Sequence, residues 1–254
     1  MAILGIDHVI VLHPDLEALS RAYRDLGFTV TPGGRHPWGT HNALIPLADG
    51  SYVELMGFWE ADLVAGTRWE RLRDRSGLVA FMLSSDEVEG DLSRAGQRGA
   101  DYATPAPGSR RRPDGVELAW RDAAPAGAQL LLPGVIQDQT PRSLRVPGGE
   151  ARQHRNGATG IERLILAVAD LDGAAALYRA LLGTEPTPTK GGPGATFQVG
   201  PHCLELRPPH GDPDLTAHLA RCGDSPYSLV LQGQRALHFA SARAAGARIE
   251  MRGA

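Results

Sequence analysis

The sequence predicts an α+β protein built from repeated β-α-β-β-β modules, with curved mixed sheets enclosing a cleft and helices on the outside. Three observations carry this expectation. Residues 5–26 and 160–181 align without a gap and share eight identities in 22 positions. Each copy runs from a short apolar strand through an acidic cap into an amphipathic helix closed by glycine. The same opening then recurs, less exactly, at residues 77–102 and 226–254. Repeats of this kind decide a fold before any local detail does.

The two best copies justify their elements in order. Val9-Ile10-Val11-Leu12 and Leu164-Ile165-Leu166-Ala167 are short, apolar and rich in branched residues, as buried strands are. Asp15 and Asp170 stand where a helix N-cap needs a short acceptor for free backbone N–H groups. Leu16, Leu19, Ala22, Tyr23 and Leu26 follow at helical spacing, matched by Leu171, Ala174, Leu177, Tyr178 and Leu181. Both tyrosines are expected to face the core. Gly27 and Gly183 end the helices. Strands are then expected at 28–31, 42–47 and 51–56 in the first copy, and at 195–199 and 202–206 in the third module. The Ala48-Asp49-Gly50 turn joins the last two strands of the first copy.

Residues 77–102 predict a strand, an Asp86 cap, a helix and, after Gly99, another strand. Further strands are expected at 115–120 and 129–132. Residues 226–254 predict a strand at 227–232, a helix through Ala245 and a strand at 247–251, a truncated fourth module. The expected organisation is a first region at 1–140 with modules at 1–60 and 76–136, and a Pro/Gly-rich linker at 141–159. A second region at 160–254 holds a module at 160–207 and the partial one at 226–254. One module leaves a sheet face bare, and paired modules can cover it or enclose a cleft.

Composition narrows the function classes. The chain has 254 residues, is 42% hydrophobic and 22% charged, and carries a net charge of −3. No global basic field invites nucleic acid. The run Arg110-Arg111-Arg112 lies between Pro107-Gly108 and Pro113-Asp114-Gly115 and reads as a solvated loop, with a site for an acidic substrate, shared with Arg35, as the alternative. Two cysteines, Cys203 and Cys222, are too few for a secreted disulfide scaffold. No signal peptide is evident, and no apolar stretch approaches the ~20 residues a membrane helix needs. The expectation is a soluble, cytoplasmic protein. Lys190 is the only lysine, which hints at a GC-rich bacterial genome. No phosphate-cradling glycine loop and no G-x-S-x-G elbow occur.

With these elements in place, the chain resembles the vicinal oxygen chelate superfamily, and more narrowly its glyoxalase-like domain proteins of bacteria. The residues that carry the resemblance are Gly5-Ile6-Asp7-His8-Val9-Ile10-Val11, Asp15-Leu16, Tyr23 and Leu26-Gly27-Phe28. Gly39-Thr40-His41-Asn42, Tyr52-Val53-Glu54-Leu55 and Asn156-Gly157-Ala158-Thr159-Gly160-Ile161 add to them. The resemblance spans nearly the whole chain and is specific for fold. It is weak for activity, because such folds host many chemistries.

The resemblance implies a metal ligand on the first strand of a module and a glutamate on its last, here His8 and Glu54. Strand alternation supports the pair independently. It places Ile6, His8 and Ile10 on one face, and Tyr52, Glu54 and Met56 together opposite Val53 and Leu55. An imidazole and a carboxylate suit Zn, Fe, Mn or Ni. His41 is a third candidate ligand, with His36 and His154 as further ones. His41 alternates with Asn42, so only one of them faces the cleft. Asn42, Tyr52, Met56, Trp38 and Arg35 are expected around the cleft, with His36 and Trp38 on a loop over its mouth. The third module has Arg163 and Glu205 at the positions of His8 and Glu54, which predicts a salt bridge, since arginine cannot ligate. The second module has Ala80 at the His8 position and no carboxylate at 130–132. The remaining histidines, including His202 and His218, are expected at the surface or as caps.

Two functions follow. The first is a small-molecule enzyme, a lyase, isomerase or dioxygenase. A divalent metal held by His8, Glu54 and His41 would bind neighbouring substrate oxygens as a Lewis acid. Without metal, Glu54 could serve as general base. The alternative is a metal-free protein of the same fold that binds or sequesters a small molecule, with His8 and Glu54 simply paired. No cofactor other than a metal is implied. The truncated fourth module leaves an edge that a second copy could use to form a homodimer.

Overall fold

The computed structural model describes residues 3–127 and 131–253. The first strand, β1 (Ile3–Leu12), leads through the Asp15 cap into α1 (Leu16–Asp25), and Asp15 accepts from the Ala18 N–H as the sequence predicts. Three strands follow: β2 (Thr31–Arg35), β3 (Thr40–Pro46) and β4 (Tyr52–Phe58). A short helix α2 (Ala61–Val64) and a 3-10 turn lead to the second module. This comprises β5 (Gly77–Ser85), α3 (Val88–Gln97), β6 (Ala106–Arg111), β7 (Glu117–Ala123) and β8 (Gly134–Asp138). The eight strands close into a barrel in the order β1-β4-β3-β2-β6-β7-β8-β5. In each module the first strand pairs parallel with the last, β1 with β4 and β5 with β8. The modules meet antiparallel through β1 and β5, and again through β2 and β6.

The remaining chain opens with α4 (Arg142–Arg145) and then builds a second mixed sheet. Its elements are β9 (Ala158–Ala167), α5 (Leu171–Leu182), β10 (Thr187–Pro188), β11 (Ala195–Val199) and β12 (His202–Arg207). They continue with α6 (Pro213–Cys222), β13 (Ser225–Gly233), β14 (Leu237–Phe239) and β15 (Arg248–Gly253). The strand order is β10-β11-β12-β9-β13-β15-β14, and this sheet stays open. Helix α6 covers part of one face, packing Leu215 and Leu219 on Ile165, Ala167, Tyr227 and Val230. No described helix is long and apolar enough to cross a membrane.

A single apolar cluster joins the two halves. It includes Val9, Val11, Val53, Leu55, Phe81 and Leu83 of the barrel with Leu164, Leu166, Leu204 and Leu229 of the open sheet. Tyr23 and Tyr178 are fully buried within it, as helical spacing predicts. The Asp49 turn adds a polar seam. Asp49 Oδ2 accepts from Ile161 N–H at 2.7 Å, and the Ile6 N–H donates to His202 Nδ1 at 2.8 Å.

Several elements differ from the expectation. β2 begins at Thr31 and takes in Gly33-Gly34-Arg35, so residues 28–30 are not strand. The strand expected after Gly99 lies later, at β6, and carries Arg110 and Arg111. Arg110 is therefore a barrel residue, 4% exposed, and not part of a solvated loop. Glu87 rather than Asp86 stands at the N-cap position of α3, without a side-chain capping bond. The expected strand at 129–132 falls partly outside the described residues. Leu131 and Leu132 are not strand, and β8 takes the place at 134–138. No helix follows β13; β14 and a 3-10 turn at Ser241–Ala244 occupy that stretch. Helix α6 lies in a segment for which no element was expected. His202 and His218 are buried rather than at the surface.

Candidate functional site

The barrel interior gathers the polar residues that the sequence singles out, and a β-bulge decides how. Between β1 and β5 the register runs Ile6↔Leu83 and then His8↔Met82, leaving Asp7 without a partner. One extra residue reverses the side-chain alternation. Ile6 consequently joins the main apolar cluster with Val9 and Val11, whereas Ile10 faces inward with Met56. The expected grouping of Ile6 with His8 and Ile10 fails for this reason.

His8 lies between two carboxylates. Its Nδ1 is 2.6 Å from Asp7 Oδ1, and its Nε2 is 3.3 Å from Glu54 Oε2. All three residues are buried, and the imidazole stacks on the Tyr52 ring at 4.6 Å between centroids. The other oxygen of Glu54 accepts from Asn42 Nδ2 at 2.5 Å. Asn42 Oδ1 in turn accepts from the Gly34 N–H at 3.0 Å and from Arg110 Nη1 at 2.9 Å.

Asp7 is held by α4, in the segment expected to be a linker. Arg145 reaches into the barrel and grips Asp7 with two bonds, of 2.8 and 2.9 Å. It also donates to Asp138 and to the Tyr52 hydroxyl. Arg142 bridges Asp7 and Asp138 from the rim. Asp7, Arg110, Arg142 and Arg145 are site residues that sequence reasoning missed. The bulge concealed Asp7, the flanking turn residues made Arg110 look solvated, and Arg142 and Arg145 fell in the expected linker.

Burial alone would neutralise each of these groups. For Asp7 burial is outweighed by the charge and hydrogen bonds of Arg145 and by His8, which hold its carboxyl well below the usual range. For His8 burial is outweighed by hydrogen bonds and charge from Asp7 and Glu54, so its pKa is raised. Burial likewise opposes the charge on Glu54, but His8, His36 and Asn42 bring its pKa down to about 2. For His36 burial prevails over the attraction of Glu54, with Arg110 adding to it, and lowers the pKa to about 4. The centre is an imidazole clasped by two carboxylates, which favour its protonated form.

A cavity of about 60 Å³ adjoins this centre. His8, Asn42, Tyr52, Glu54, Met56 and Trp38 border it, as does His36, whose ring stacks on Trp38 at 4.8 Å. Trp69, Met82, Trp120 and Ile136 complete its apolar wall, while Arg68, Arg110 and Asp122 add charge. Two expected members are not there. His41 pairs across the sheet with Gly57, beside Leu16 of α1 on the outer face, so Asn42 is the inward residue. Arg35 is exposed and covers Trp59 at 4.6 Å. His154 holds the chain path instead, accepting from the Thr29 N–H and contacting Pro46 O.

The donors do not fit a resident divalent metal. Protein zinc sites take three or four protein ligands, and among the described residues no group of three His, Cys, Asp or Glu side chains is arranged to hold one. The second module cannot complete the set: Gly134 pairs with Met82 as Glu54 pairs with Ile10, and a Cβ at Gly134 would lie 2.4 Å from Met82 Sδ. The third module repeats the arrangement with arginine. Glu162 occupies a matching bulge, and Arg163 lies 2.6 Å from Glu205 and 3.6 Å from Glu162. The expected Arg163–Glu205 salt bridge is present, and Arg207 also binds Glu205.

Comparison with known proteins agrees with this architecture. A hypothetical protein from Staphylococcus aureus superposes with a TM-score of 0.78 at 13% identity, over 98% of this chain and 99% of that one. A mutant of 4-hydroxymandelate synthase from Streptomyces coelicolor gives 0.66 at 15% identity, over 95% and 78%. A fusion of a xylose isomerase-like TIM barrel with 4-hydroxyphenylpyruvate dioxygenase gives 0.57 at 14% identity, over 92% of this chain and 37% of that one. These likenesses establish fold and not activity. No curated protein matches. The model of the glyoxalase-like domain matches residues 6–182, and with the paired β-α-β-β-β modules this places the chain in the glyoxalase-like domain family, within the vicinal oxygen chelate fold.

Proposed function

We propose that the barrel is a metal-independent binding site through which the protein captures a small organic molecule. The observation that carries this reading is the engagement of both nitrogens of His8 by carboxylates, at 2.6 and 3.3 Å. An imidazolium so placed has no free N–H to give and no lone pair to offer. Glu54, with a pKa of about 2, is a poor proton acceptor near neutral pH. The third module holds an arginine, a permanent cation, in the same clasp. That supports His8 acting as a cation rather than a ligand. The wall of Trp38, Trp69, Trp120 and Tyr52 suits a flat apolar body, and the free space of about 60 Å³ suits a head group.

The enzyme reading, a lyase, isomerase or dioxygenase using a divalent metal, has one distance in its favour. Two ligands of a tetrahedral zinc at ~2.1 Å stand about 3.4 Å apart, close to the 3.3 Å between His8 Nε2 and Glu54 Oε2. Elemental analysis of the purified protein and titration with Zn, Fe, Mn and Ni separate the two readings. Capture requires no stoichiometric metal and no metal affinity that depends on His8. One metal per chain, lost in both His8→Ala and Glu54→Ala, would overturn it in favour of the enzyme.

A further inference from the structure

The cavity of the first barrel has an uneven stock of unused hydrogen-bonding groups. Most of its acceptors are engaged by neighbouring donors. Asp7 is filled by His8, Arg145 and Arg142, and Glu54 by Asn42 and His8. Asn42 Oδ1 takes the Gly34 N–H and Arg110, and Asp122 Oδ1 takes Trp120 Nε1 at 2.8 Å. What remains unmatched is donor in character. Trp38 Nε1 and Arg110 Nε are both buried without a hydrogen-bond partner. Both residues border the cavity, and Arg110 is only 4% exposed.

A buried N–H with no acceptor is desolvated without return, so two such groups beside one cavity call for an explanation. Neither can accept a hydrogen bond, because indole N–H and guanidinium are donors only. Their complement is an acceptor. Arg110 and Arg68 on the same cavity favour an acceptor that carries negative charge. The aromatic wall around them favours a ligand whose remaining body is flat and apolar.

We infer that the cavity takes the carboxylate of a small aromatic acid, with Trp38 Nε1–H and Arg110 Nε–H as its recognition donors. The inference rests on the capture reading above and gives that site its ligand class. A neutral amide of the same shape offers one carbonyl oxygen and no charge. An ammonium analogue offers only donors to donors.

The test is calorimetric titration at pH 7 with benzoate, benzamide and benzylammonium as matched probes. Benzoate should bind at least tenfold more tightly than either of the others. Trp38→Phe keeps the ring and removes its N–H; Arg110→Lys keeps the charge and removes Nε–H. Each should weaken benzoate at least fivefold and benzamide by a smaller factor, in protein whose circular dichroism matches the parent. Benzamide or benzylammonium binding as tightly as benzoate overturns the carboxylate assignment and leaves capture standing. Benzoate affinity unmoved by both variants overturns the assignment of the donors. Absence of binding by all three probes at millimolar concentration overturns the ligand class, whereas the capture reading is decided separately by the metal analysis.

Discussion

Asp7 is the residue on which the site turns, and it is the one that strand alternation hides. A reader of residues 5–12 sees an apolar strand with His8 on the face of Ile6 and Ile10; the bulge breaks that pattern, and no local residue type announces it. His8 and Glu54 were legible because a charged pair within apolar strands needs mutual support. Removing the arginine that balances Asp7 should be costly. Arg145→Ala leaves Asp7, which is 0% exposed, with only His8 and Arg142, and breaking a buried ion pair costs about 3–5 kcal/mol. Urea denaturation should show that loss; a change within about 0.5 kcal/mol, the usual size for surface sites, would refute the buried-pair account.

The same residues set the acid response. His36 is pushed from 6.5 to about 4 in the fold. Below pH 6.5 the unfolded chain takes up a proton that the folded protein refuses, so stability falls as pH drops from 6.5 towards 4. By linkage the loss from His36 is on the order of 3 kcal/mol at most. Glu54 adds a second loss between 4.5 and about 2, where the unfolded carboxyl is protonated and the folded one is not. His8 acts in the opposite sense. Its raised pKa contributes stability in full below 6.5 and loses it as pH rises through the folded value. Denaturation midpoints measured from pH 7 to pH 4.5 should decline, and His36→Leu should flatten that decline. An unchanged slope in the variant would show that His36 is not the group responsible.

At the scale of elements, the helices that follow a capped repeat strand were legible, whereas α6 was not. Asp15 and Asp170 cap as expected, accepting from Ala18 and Gly173, because capping needs only a short acceptor at one position. Replacing either with alanine should cost about 1 kcal/mol, visible as a lower urea midpoint. The strands of the second module were displaced by several residues because its apolar run at 130–132 precedes Pro133 and the true edge partner of β5 follows it. Arg110 looked solvated for a related reason. Gly108 and Pro113 read as turn residues, yet Gly108 lies within β6, where a Cβ would meet the Trp120 indole at 2.2 Å. Glycine there marks close approach, not a loop. Gly134→Ala should be destabilising by about 1–3 kcal/mol through overpacking against Met82, and a thermal melt would register it. A neutral result would mean that Met82 moves aside freely.

For the molecule as a whole, the repeat was the strongest signal because duplicated modules carry the same patterning twice. It could not reveal that one pair closes into a barrel while the other stays open with α6 laid on its face. The two halves share one apolar cluster and the seam at Asp49 and His202. They are expected to unfold together. Scanning calorimetry should give a single transition, and two resolved transitions would show that the shared core does not couple them. His202→Ala should lower that transition temperature, since the Ile6 N–H loses its acceptor.

Arg145 enters the barrel from beyond its last strand. A cork therefore comes from the stretch that joins the halves. Anyone trimming the chain after residue 138 to isolate the barrel would discard its stopper, leaving the innermost anion facing a hole. A workable boundary must lie past α4, so the connecting stretch belongs to the barrel in every sense that matters for handling it.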